Sequence, residues 1–265
     1  MRKKTKIILG SFSVLVFLFF YIPLFVVMAF SFNDSSVGTV WTGFTTQWYE
    51  SLFSNRQILS AVQNSLYIAV VTTIISTILG TLAAIALYRY NFPGKRFLNV
   101  IFYIPVAMPE IVVGISLLAL YAMVGMTLGL NTVFPGHVVM ATSFVMLVVM
   151  ARLHGFDPAM EEAAKDLGAN KWQTFWRVTF PLIFPGVLAA SLLAFTISLD
   201  EFVVAFFTTG PGSNTLPVLI YSMVRRGVSP EINALSTILL IFIVIVVLIV
   251  GRVLIQIQSR GGDRS

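Results

Sequence analysis

The sequence predicts an all-α integral membrane protein with six transmembrane helices. Of its 265 residues, 57% are hydrophobic and 11% are charged, and a mean hydropathy of +0.91 lies outside the range of soluble proteins. A helix needs about 20 mainly apolar residues to cross a bilayer. Six stretches reach that length, at about 7–32, 62–88, 98–125, 133–152, 183–208 and 232–255.

The positive charges predict the orientation of these helices. An even number of spans puts both termini on one side of the membrane. If that side is the cytoplasm, 14 of the 17 Lys and Arg residues lie inside, and only Arg56, Arg225 and Arg226 lie outside. This is the distribution that the positive-inside rule describes. We therefore predict cytoplasmic N and C termini, and we attribute the net charge of +6 to orientation rather than to nucleic-acid binding.

The first apolar stretch follows the basic segment MRKKTK and could be a secretory signal. A signal has an apolar core of about 7–15 residues before a small-residue cleavage site. Residues 7–32 are longer than that and lack such a site. We predict an uncleaved first helix in contact with membrane lipid.

The third stretch contains Pro105 and Pro109 beside Glu110. Prolines inside a span free backbone carbonyls and bend the helix, which is tolerated only where protein or a water-filled cavity meets the freed groups. The sequence therefore predicts a bent third helix with Glu110 on an interior surface.

The loop between the fifth and sixth stretches, residues 210–229, contains the apolar segment LPVLIYSMV. Nine residues are too few to span, so we predict a short re-entrant or interfacial helix. Ser229, Pro230 and Glu231 then have the pattern of an N-cap, a first-turn proline and a first-turn acid, which predicts the start of the sixth helix. Arg225 and Arg226 are expected to contact a docked binding protein or to pair with Glu231.

The cytoplasmic loop, residues 153–182, has the pattern of a helix, a turn and a second helix. Asp157 and Pro158 predict the first helix start, and Glu161 and Glu162 follow in the first turn, where the helix dipole favours acids. Gly168 is placed where a helix ends in the left-handed conformation.

The second short helix of this loop is expected to begin at a capping box. Asn170 and Gln173 have the spacing of such a box, and Pro181 is expected to end the helix. The pattern by itself predicts only a folded loop.

The same loop resembles the EAA motif of ABC importer permeases, which is written EAA-x3-G-x9-I-x-L-P. The matching residues are Glu162, Ala163, Ala164, Gly168, Val178, Phe180 and Pro181, with Val178 and Phe180 replacing Ile and Leu. The resemblance implies the type I ABC importer permease fold, in which the first helix of the loop couples to an ATPase. The ATPase-coupling residues that it implies are Glu162, Ala163, Ala164, Gly168 and Pro181.

Further segments, among them IPVAMPEIVVGISLL, LLAFTISLDEFVVAFFTTGPG and LPVLIYSMVRRGVSPEINAL, are similar to permeases of spermidine/putrescine ABC importers. This resemblance implies a bacterial inner-membrane protein that pairs with a homologous second permease. It also implies two copies of an ATPase subunit, which bind ATP and Mg, and a periplasmic or extracellular solute-binding protein. The chain itself has no G-x-x-x-x-G-K-[ST] pattern, so we expect no cofactor and no enzymatic activity in it.

Three carboxylates, Glu110, Asp200 and Glu201, fall within the predicted spans. A charge at mid-bilayer costs about 2.5–3.5 kcal/mol on the insertion scale, so such acids usually serve a pathway. We predict that the three acids replace part of the hydration of a cation, with Tyr221 adding cation–π attraction. Alternatively, an acid is protonated or pairs with a partner subunit. Asp200 and Glu201 cannot both face one pore, because neighbours on a helix diverge by about 100°.

Other function classes remain open on the sequence alone. The same acids could serve a stand-alone secondary transporter or cation channel, or an importer permease for another small solute. An intramembrane aspartyl protease would use Glu110 with Asp200 or Glu201, but no catalytic motif such as H-E-x-x-H or G-x-S-x-G is present. We predict no metal site, because the chain has no cysteine and His137 and His154 lie at opposite ends of one span.

Overall fold

The computed structural model describes residues 3–35, 40–155, 157–227 and 229–262, and these are helical apart from loops and one isolated bridge between Asn33 and Phe44. The all-α fold predicted from the sequence is therefore confirmed. The helices are α1 (Lys3–Phe30), α2 (Gln47–Ser54), α3 (Arg56–Arg89), α4 (Lys95–Ala107), α5 (Glu110–Met123), α6 (Leu130–His154), α7 (Ala159–Asp166), α8 (Lys171–Thr174), α9 (Phe180–Asp200), α10 (Val203–Thr208), α11 (Leu216–Arg226) and α12 (Pro230–Gly262), with a π-helical segment, Phe175–Thr179, between α8 and α9.

Five helical segments within the described ranges are long and apolar enough to cross a membrane. They are Leu9–Phe30, Arg56–Arg89, Leu130–His154, Lys171–Asp200 and Pro230–Ile249. Helices α4 and α5 supply a sixth crossing if the pair counts as one broken span. The sequence-predicted segment 98–125 corresponds to this pair.

The break between α4 and α5 is a bend of 109°. Pro105 lies inside α4, and Pro109, with extended backbone at φ −60° and ψ 130°, immediately precedes α5. A proline has no backbone N–H to donate in a hydrogen bond, and it restricts the residue before it to extended conformations. The bend predicted from Pro105 and Pro109 is thus present, and it places Glu110 in the first turn of α5.

Pro181 does not end the second short helix of the loop, contrary to the sequence prediction. Helix α8, the π-helical segment and α9 continue as one helical run, Lys171–Asp200. The amide of Phe180 donates to the carbonyl of Phe175, five residues back. This wider turn places Pro181 in the first turn of α9, where its missing N–H removes no α-helical hydrogen bond.

A second break interrupts the predicted span 183–208. Helix α9 ends at Asp200, and Glu201 has an extended backbone with φ −65° and ψ 101°. Helix α10 then begins at Val203. Non-helical backbone at membrane depth requires cover from protein or a water-lined cavity.

The chain divides into two compact units, Ser60–Val218 with Gly251–Ser265, and Met1–Leu59 with Leu219–Val250. In the first unit α6 packs along α9, and small side chains such as Ala84, Ala141 and Ala190 are fully buried. At Gly80 a Cβ atom would lie 2.7 Å from the Cβ of Val145. Helices α3 and α6 therefore meet through glycine, as is usual where small residues allow membrane helices to approach closely.

The second unit contains α1, α2 and most of the described part of α12. The side chain of Glu231, in the first turn of α12, accepts hydrogen bonds from Ser51 (3.2 Å) and Asn55 (3.4 Å). The alternative that Glu231 pairs with Arg225 or Arg226 is not found, since no ion pair joins these three described residues. Helix α12 begins at Pro230, as the sequence predicts.

Candidate functional site

The loop between α6 and α9 is fixed by local hydrogen bonds. The side chain of Asp157 accepts a hydrogen bond from the amide of Ala159 at 3.0 Å and so satisfies the start of α7. Gly168 has φ +88°, the left-handed conformation predicted for it. The two halves of the capping box are also present, because Asn170 accepts from the amide of Gln173 (2.9 Å) and Gln173 accepts from the amide of Asn170 (3.0 Å).

Helix α7 presents one face to the rest of the chain. Glu161 and Ala164 are half-buried, whereas Glu162 and Ala163 are exposed. Beyond the helix, Leu167 is 90% exposed, a high value for a leucine. The exposed side of α7 and Leu167 form a surface that the described part of this chain leaves open. An exposed apolar side chain beside small residues suits close docking of another protein.

Pro181, the last of the predicted coupling residues, lies inside the helical run and not on α7. Gly168 and Val178 line a cavity of about 290 Å³ between the end of α7 and the π-helical segment. Of the predicted coupling residues, Glu162, Ala163, Ala164 and Gly168 therefore lie together, and Pro181 has a separate role in shaping the start of α9.

An ion pair that local sequence patterns do not predict attaches α7 to the membrane helices. Arg89, in the last turn of α3, pairs with Glu161 and donates a hydrogen bond to Thr179 at 3.0 Å. The Thr179 hydroxyl donates to Glu161 at 2.5 Å. The sequence does show a basic residue at the end of one helix and an acid in the loop. No local pattern indicates that the two are in contact, because they lie 72 positions apart.

A second attachment joins the end of α6 to the start of α9. Arg152 donates through Nε and Nη2 to the backbone carbonyl of Leu182, at 3.3 and 3.2 Å. Gly186 leaves room for this arginine, since a Cβ there would lie 2.8 Å from its side chain. A cavity of about 200 Å³ lies beside this contact and is bounded by Met160 of α7.

Aromatic side chains form a column along the start of the Lys171–Asp200 run. The ring centroids of Trp172, Trp176, Phe180 and Phe184 are separated in turn by 5.6, 5.1 and 5.8 Å. Trp172 is 70% exposed. Tryptophan favours the membrane–water interface, so the column marks where this helix enters the membrane.

The three carboxylates predicted to serve a pathway meet at the two helix breaks. Glu110 begins α5 after the proline bend, and Asp200 and Glu201 stand at the end of α9. Glu110 and Asp200 both lie close to Glu201, and α5, which begins at Glu110, packs against α10. We call these three residues the acidic cluster.

The members of the acidic cluster differ in exposure. Glu201 is 6% exposed, and its carboxylate accepts a hydrogen bond from the amide of Val204 at 3.0 Å. Glu110 and Asp200 are exposed on the surface of this chain. Asp200 and Glu201 thus point in different directions, in agreement with the divergence expected of neighbours. Glu110 and Asp200 are the members available to a ligand or to another subunit.

Close packing holds the two breaks together. A Cβ on Gly114 of α5 would lie 2.8 Å from the ring of Phe207 in α10. Gly136 of α6 likewise faces Val204 of α10 and Leu117 of α5. The three helices therefore approach through glycine, which fixes the positions of Glu110 and Glu201 relative to each other.

Aromatic residues beside the acidic cluster were not singled out from the sequence. Phe202 and Phe206 have ring centroids 5.5 Å apart, and Phe206 is exposed. The signal that could have found them is the four-residue spacing of phenylalanine directly after Asp200 and Glu201.

Tyr221, the fourth predicted pathway residue, belongs to α11 and to the other compact unit. The Arg225 guanidinium lies over its ring, 5.8 Å from the centroid. This ring therefore already has a cationic neighbour within the chain.

The two histidines have separate partners. The Nδ1 atom of His137, buried in α6, lies 2.9 Å from the hydroxyl of Ser198 in α9. His154 Nδ1 is 2.8 Å from the carbonyl of Met150, and its ring packs against Tyr88. Both histidines therefore contribute to helix packing.

Comparison with known protein families identifies the family to which this chain belongs. Residues 76–261 match the family described as binding-protein-dependent transport system inner membrane component. The chain belongs to this family. Membership makes it a membrane component of a transport system that works with a solute-binding protein, and a transporter rather than an enzyme.

Two relatives in this family are named for polyamine transport. The chain is 41% identical over 256 residues to the spermidine/putrescine transport system permease protein PotC of Escherichia coli K12, a match that covers 97% of each chain. It is also 41% identical over 231 residues to the putrescine transport system permease protein PotI of the same organism, over 84% of this chain and 82% of PotI.

Solved structures of ABC importers contain the same fold. A chain from the crystal structure of a bacterial ABC transporter involved in import of the acidic polysaccharide alginate superposes with a TM-score of 0.76 and 17% identity, covering 96% of both chains. A chain of the MetNI methionine ABC transporter gives a TM-score of 0.65 and 18% identity over 75% of this chain and 95% of its own. The fold is that of an ABC importer permease, as the EAA resemblance implied.

Proposed function

We propose that this chain is a permease subunit of an ATP-driven ABC importer for polyamines, with spermidine and putrescine as the cargo. The observation that carries the proposal is the 41% identity to PotC over 97% of both chains. Identity falls to 29% for PhnV of Salmonella typhimurium, named as a putative 2-aminoethylphosphonate transport system permease. The cargo names of the more similar relatives therefore favour a multiply charged amine.

The acidic cluster fits such a cargo chemically. A polyamine carries ammonium groups separated by short apolar chains. Exposed carboxylates at Glu110 and Asp200 would take the place of water around an ammonium group. The exposed ring of Phe206, close in sequence to Asp200, would contact the alkyl segment or attract the cation through its π face. Tyr221 would contribute only if its ring exchanged Arg225 for the cargo.

The buried acid Glu201 has a different part in this proposal. Its carboxylate accepts a hydrogen bond from the amide of Val204 and so holds the start of α10. The cargo would contact the carboxylates of Glu110 and Asp200, while Glu201 stabilises the break between α9 and α10 that leaves Asp200 exposed.

The complete importer would contain several other proteins. This chain would form half of the translocation pathway with a homologous second permease. Two ATPase subunits would bind ATP and Mg, and a solute-binding protein would deliver the cargo from outside. The N and C termini would lie in the cytoplasm, as the charge distribution predicts. The ATPase would then dock on the exposed side of α7, at Glu162, Ala163, Ala164 and Gly168.

Reconstitution tests this proposal. The chain would be co-purified with the products of its neighbouring genes, placed in proteoliposomes and supplied with binding protein and radiolabelled spermidine or putrescine. Uptake that requires ATP and the binding protein supports the proposal. Uptake by the isolated chain on an ion gradient alone would instead identify a secondary transporter, and ATP-dependent uptake of a different solute would correct the cargo.

A further inference from the structure

Helix α7 is attached to the rest of the chain by few side chains. Among its described residues Ala159–Asp166, none is fully buried, and only Glu161 and Ala164 are half-buried. An alanine contributes little contact area. An open groove of about 290 Å³ also lies between the end of the helix and the π-helical segment. Apolar packing alone therefore holds this helix weakly.

Glu161 supplies the polar attachment. Its Oε1 atom accepts from the Arg89 guanidinium and from the Thr179 hydroxyl, and Arg89 also donates to Thr179. Each of the three side chains thus contacts the other two. We call this closed arrangement the Arg89–Glu161–Thr179 network.

The network joins three different helical elements. Arg89 is in the last turn of α3, Glu161 is in the first turn of α7, and Thr179 ends the π-helical segment that continues into α9. Helices α3 and α9 are each part of a membrane-spanning segment. Force applied to α7 would therefore reach two spans through one carboxylate.

The surroundings make this contact stronger than an ordinary surface ion pair. Thr179 is fully buried, and the side chains of Arg89 and Glu161 are 23% and 14% exposed. Hydrogen bonds between charged groups are about twice as strong as neutral ones. Partial exclusion of water reduces screening, and removal of one partner would leave a poorly solvated charge.

We propose that the Arg89–Glu161–Thr179 network transmits movement of α7 to α3 and α9, and that these three are positioning residues for ATP-coupled transport. The inference rests on the proposed function, because it assumes that an ATPase moves α7. It assigns separate tasks to adjacent acids. Glu162 faces outward to the ATPase, whereas Glu161 faces inward and connects the docked helix to the spans.

The central experiment compares Glu161→Gln with Glu162→Gln in the reconstituted complex, which is a matched pair of substitutions. For Glu161→Gln we expect normal assembly and nearly normal ATP hydrolysis, with the number of cargo molecules imported per ATP reduced about tenfold, within the usual range of coupling factors. For Glu162→Gln we expect weaker ATPase docking, so that hydrolysis and uptake fall together.

Two further variants separate transmission from folding. Thr179→Val keeps the side-chain shape and the ion pair, and should cause a smaller loss of coupling than Glu161→Gln. The double variant Arg89→Glu with Glu161→Arg reverses the pair and should recover much of the lost coupling. The proposal is overturned if Glu161→Gln and Thr179→Val leave the ratio of uptake to hydrolysis unchanged, or if the charge reversal in an assembled complex recovers nothing.

A distance measurement makes the result independent of the cargo. The chain has no cysteine, so spin labels can be placed at Lys165→Cys on α7 and at Tyr90→Cys after α3, both exposed positions. With the network intact, the distribution of distances between the two labels should stay narrow with and without ATP, and Glu161→Gln should broaden that distribution. An equally narrow distribution in the variant would overturn the inference. A wild-type complex that imports no polyamine would remove the cargo assignment and leave this measurement valid.

Discussion

The carboxylate of Glu201 accepts a hydrogen bond from the amide of Val204, 3.0 Å away, at the break between α9 and α10. This contact distinguishes Glu201 from its neighbour Asp200. The first is buried and holds a helix start, while the second is exposed. Two adjacent acids in a membrane segment therefore have different environments, and substitutions at them should have different effects.

Replacing Asp200 with Asn should reduce polyamine uptake more than it affects assembly. The amide keeps the size of the side chain but removes a charge that would stabilise an ammonium group. We expect transport efficiency to fall about tenfold or more, the factor that corresponds to about 1.4 kcal/mol. The measurement is the concentration dependence of uptake in proteoliposomes, and Asp34→Asn, at an exposed acid that is not a member of the cluster, is the control. Wild-type uptake by Asp200→Asn would remove Asp200 from the pathway.

Replacing Glu201 with Ala should instead affect stability. The amide of Val204 would lose its carboxylate partner in a buried position, and loss of a helix cap costs about 0.5–2 kcal/mol. We expect a lower thermal midpoint in detergent, while Glu201→Gln, which retains an acceptor oxygen, should lose less. If the two variants melt at the same temperature as the wild type, the capping role of Glu201 is wrong.

Gly168→Val should impair ATP-coupled uptake without preventing membrane insertion. A Cβ added at this position would have no atom of the described residues within 4 Å, so the cost arises from the backbone at φ +88° and not from a clash. The left-handed conformation costs a non-glycine residue about 1–2 kcal/mol. Gly168→Asn is the control, because asparagine tolerates this conformation. Uptake and ATPase co-purification should rank glycine first, asparagine second and valine last, and normal uptake by the valine variant would contradict the assignment of this turn to coupling.

Gly80→Ala should destabilise the helix packing although alanine favours helices. The new methyl group would lie 2.7 Å from the Cβ of Val145 and 2.8 Å from the carbonyl oxygen of Thr142, which is backbone and cannot rotate away. Overpacking of this kind costs about 1–3 kcal/mol. The test is the unfolding midpoint in mixed micelles. Gly10→Ala, the same change at a helical position with open space around it, should be neutral or slightly stabilising.

Asn170→Ala should loosen the second short helix of the loop. It removes the oxygen that accepts from the amide of Gln173 at 2.9 Å, at a cost of about 1 kcal/mol. Hydrogen exchange should accelerate over Lys171–Thr174, and Asn170→Asp, which keeps the acceptor, should exchange at a rate close to the wild type. Unchanged exchange in Asn170→Ala would show that packing, and not the cap, holds α8.

Local patterns in the sequence were sufficient for much of the architecture. The bend after Pro105, the left-handed Gly168 and the capping box of Asn170 and Gln173 each depend on a few adjacent residues, and the structure contains all of them. Pro181 was misinterpreted for the same reason. When only the neighbouring residues are considered, a proline predicts the end of a helix. In the structure the π-helical segment places Pro181 in the first turn of α9.

The sequence by itself determined that this is an α-helical membrane protein with a folded loop of the importer-permease type, because apolar length, helix caps and the EAA spacing are properties of contiguous residues. Only the tertiary structure decided that Glu110 lies near Glu201, that Glu201 is the buried member of the acidic cluster, and that Arg89 pairs with Glu161. Those relationships depend on which faces of distant helices meet. In a membrane almost every face of a span is apolar, so hydropathy does not distinguish the faces, and the small residues and helix breaks that do so act only once the helices have packed.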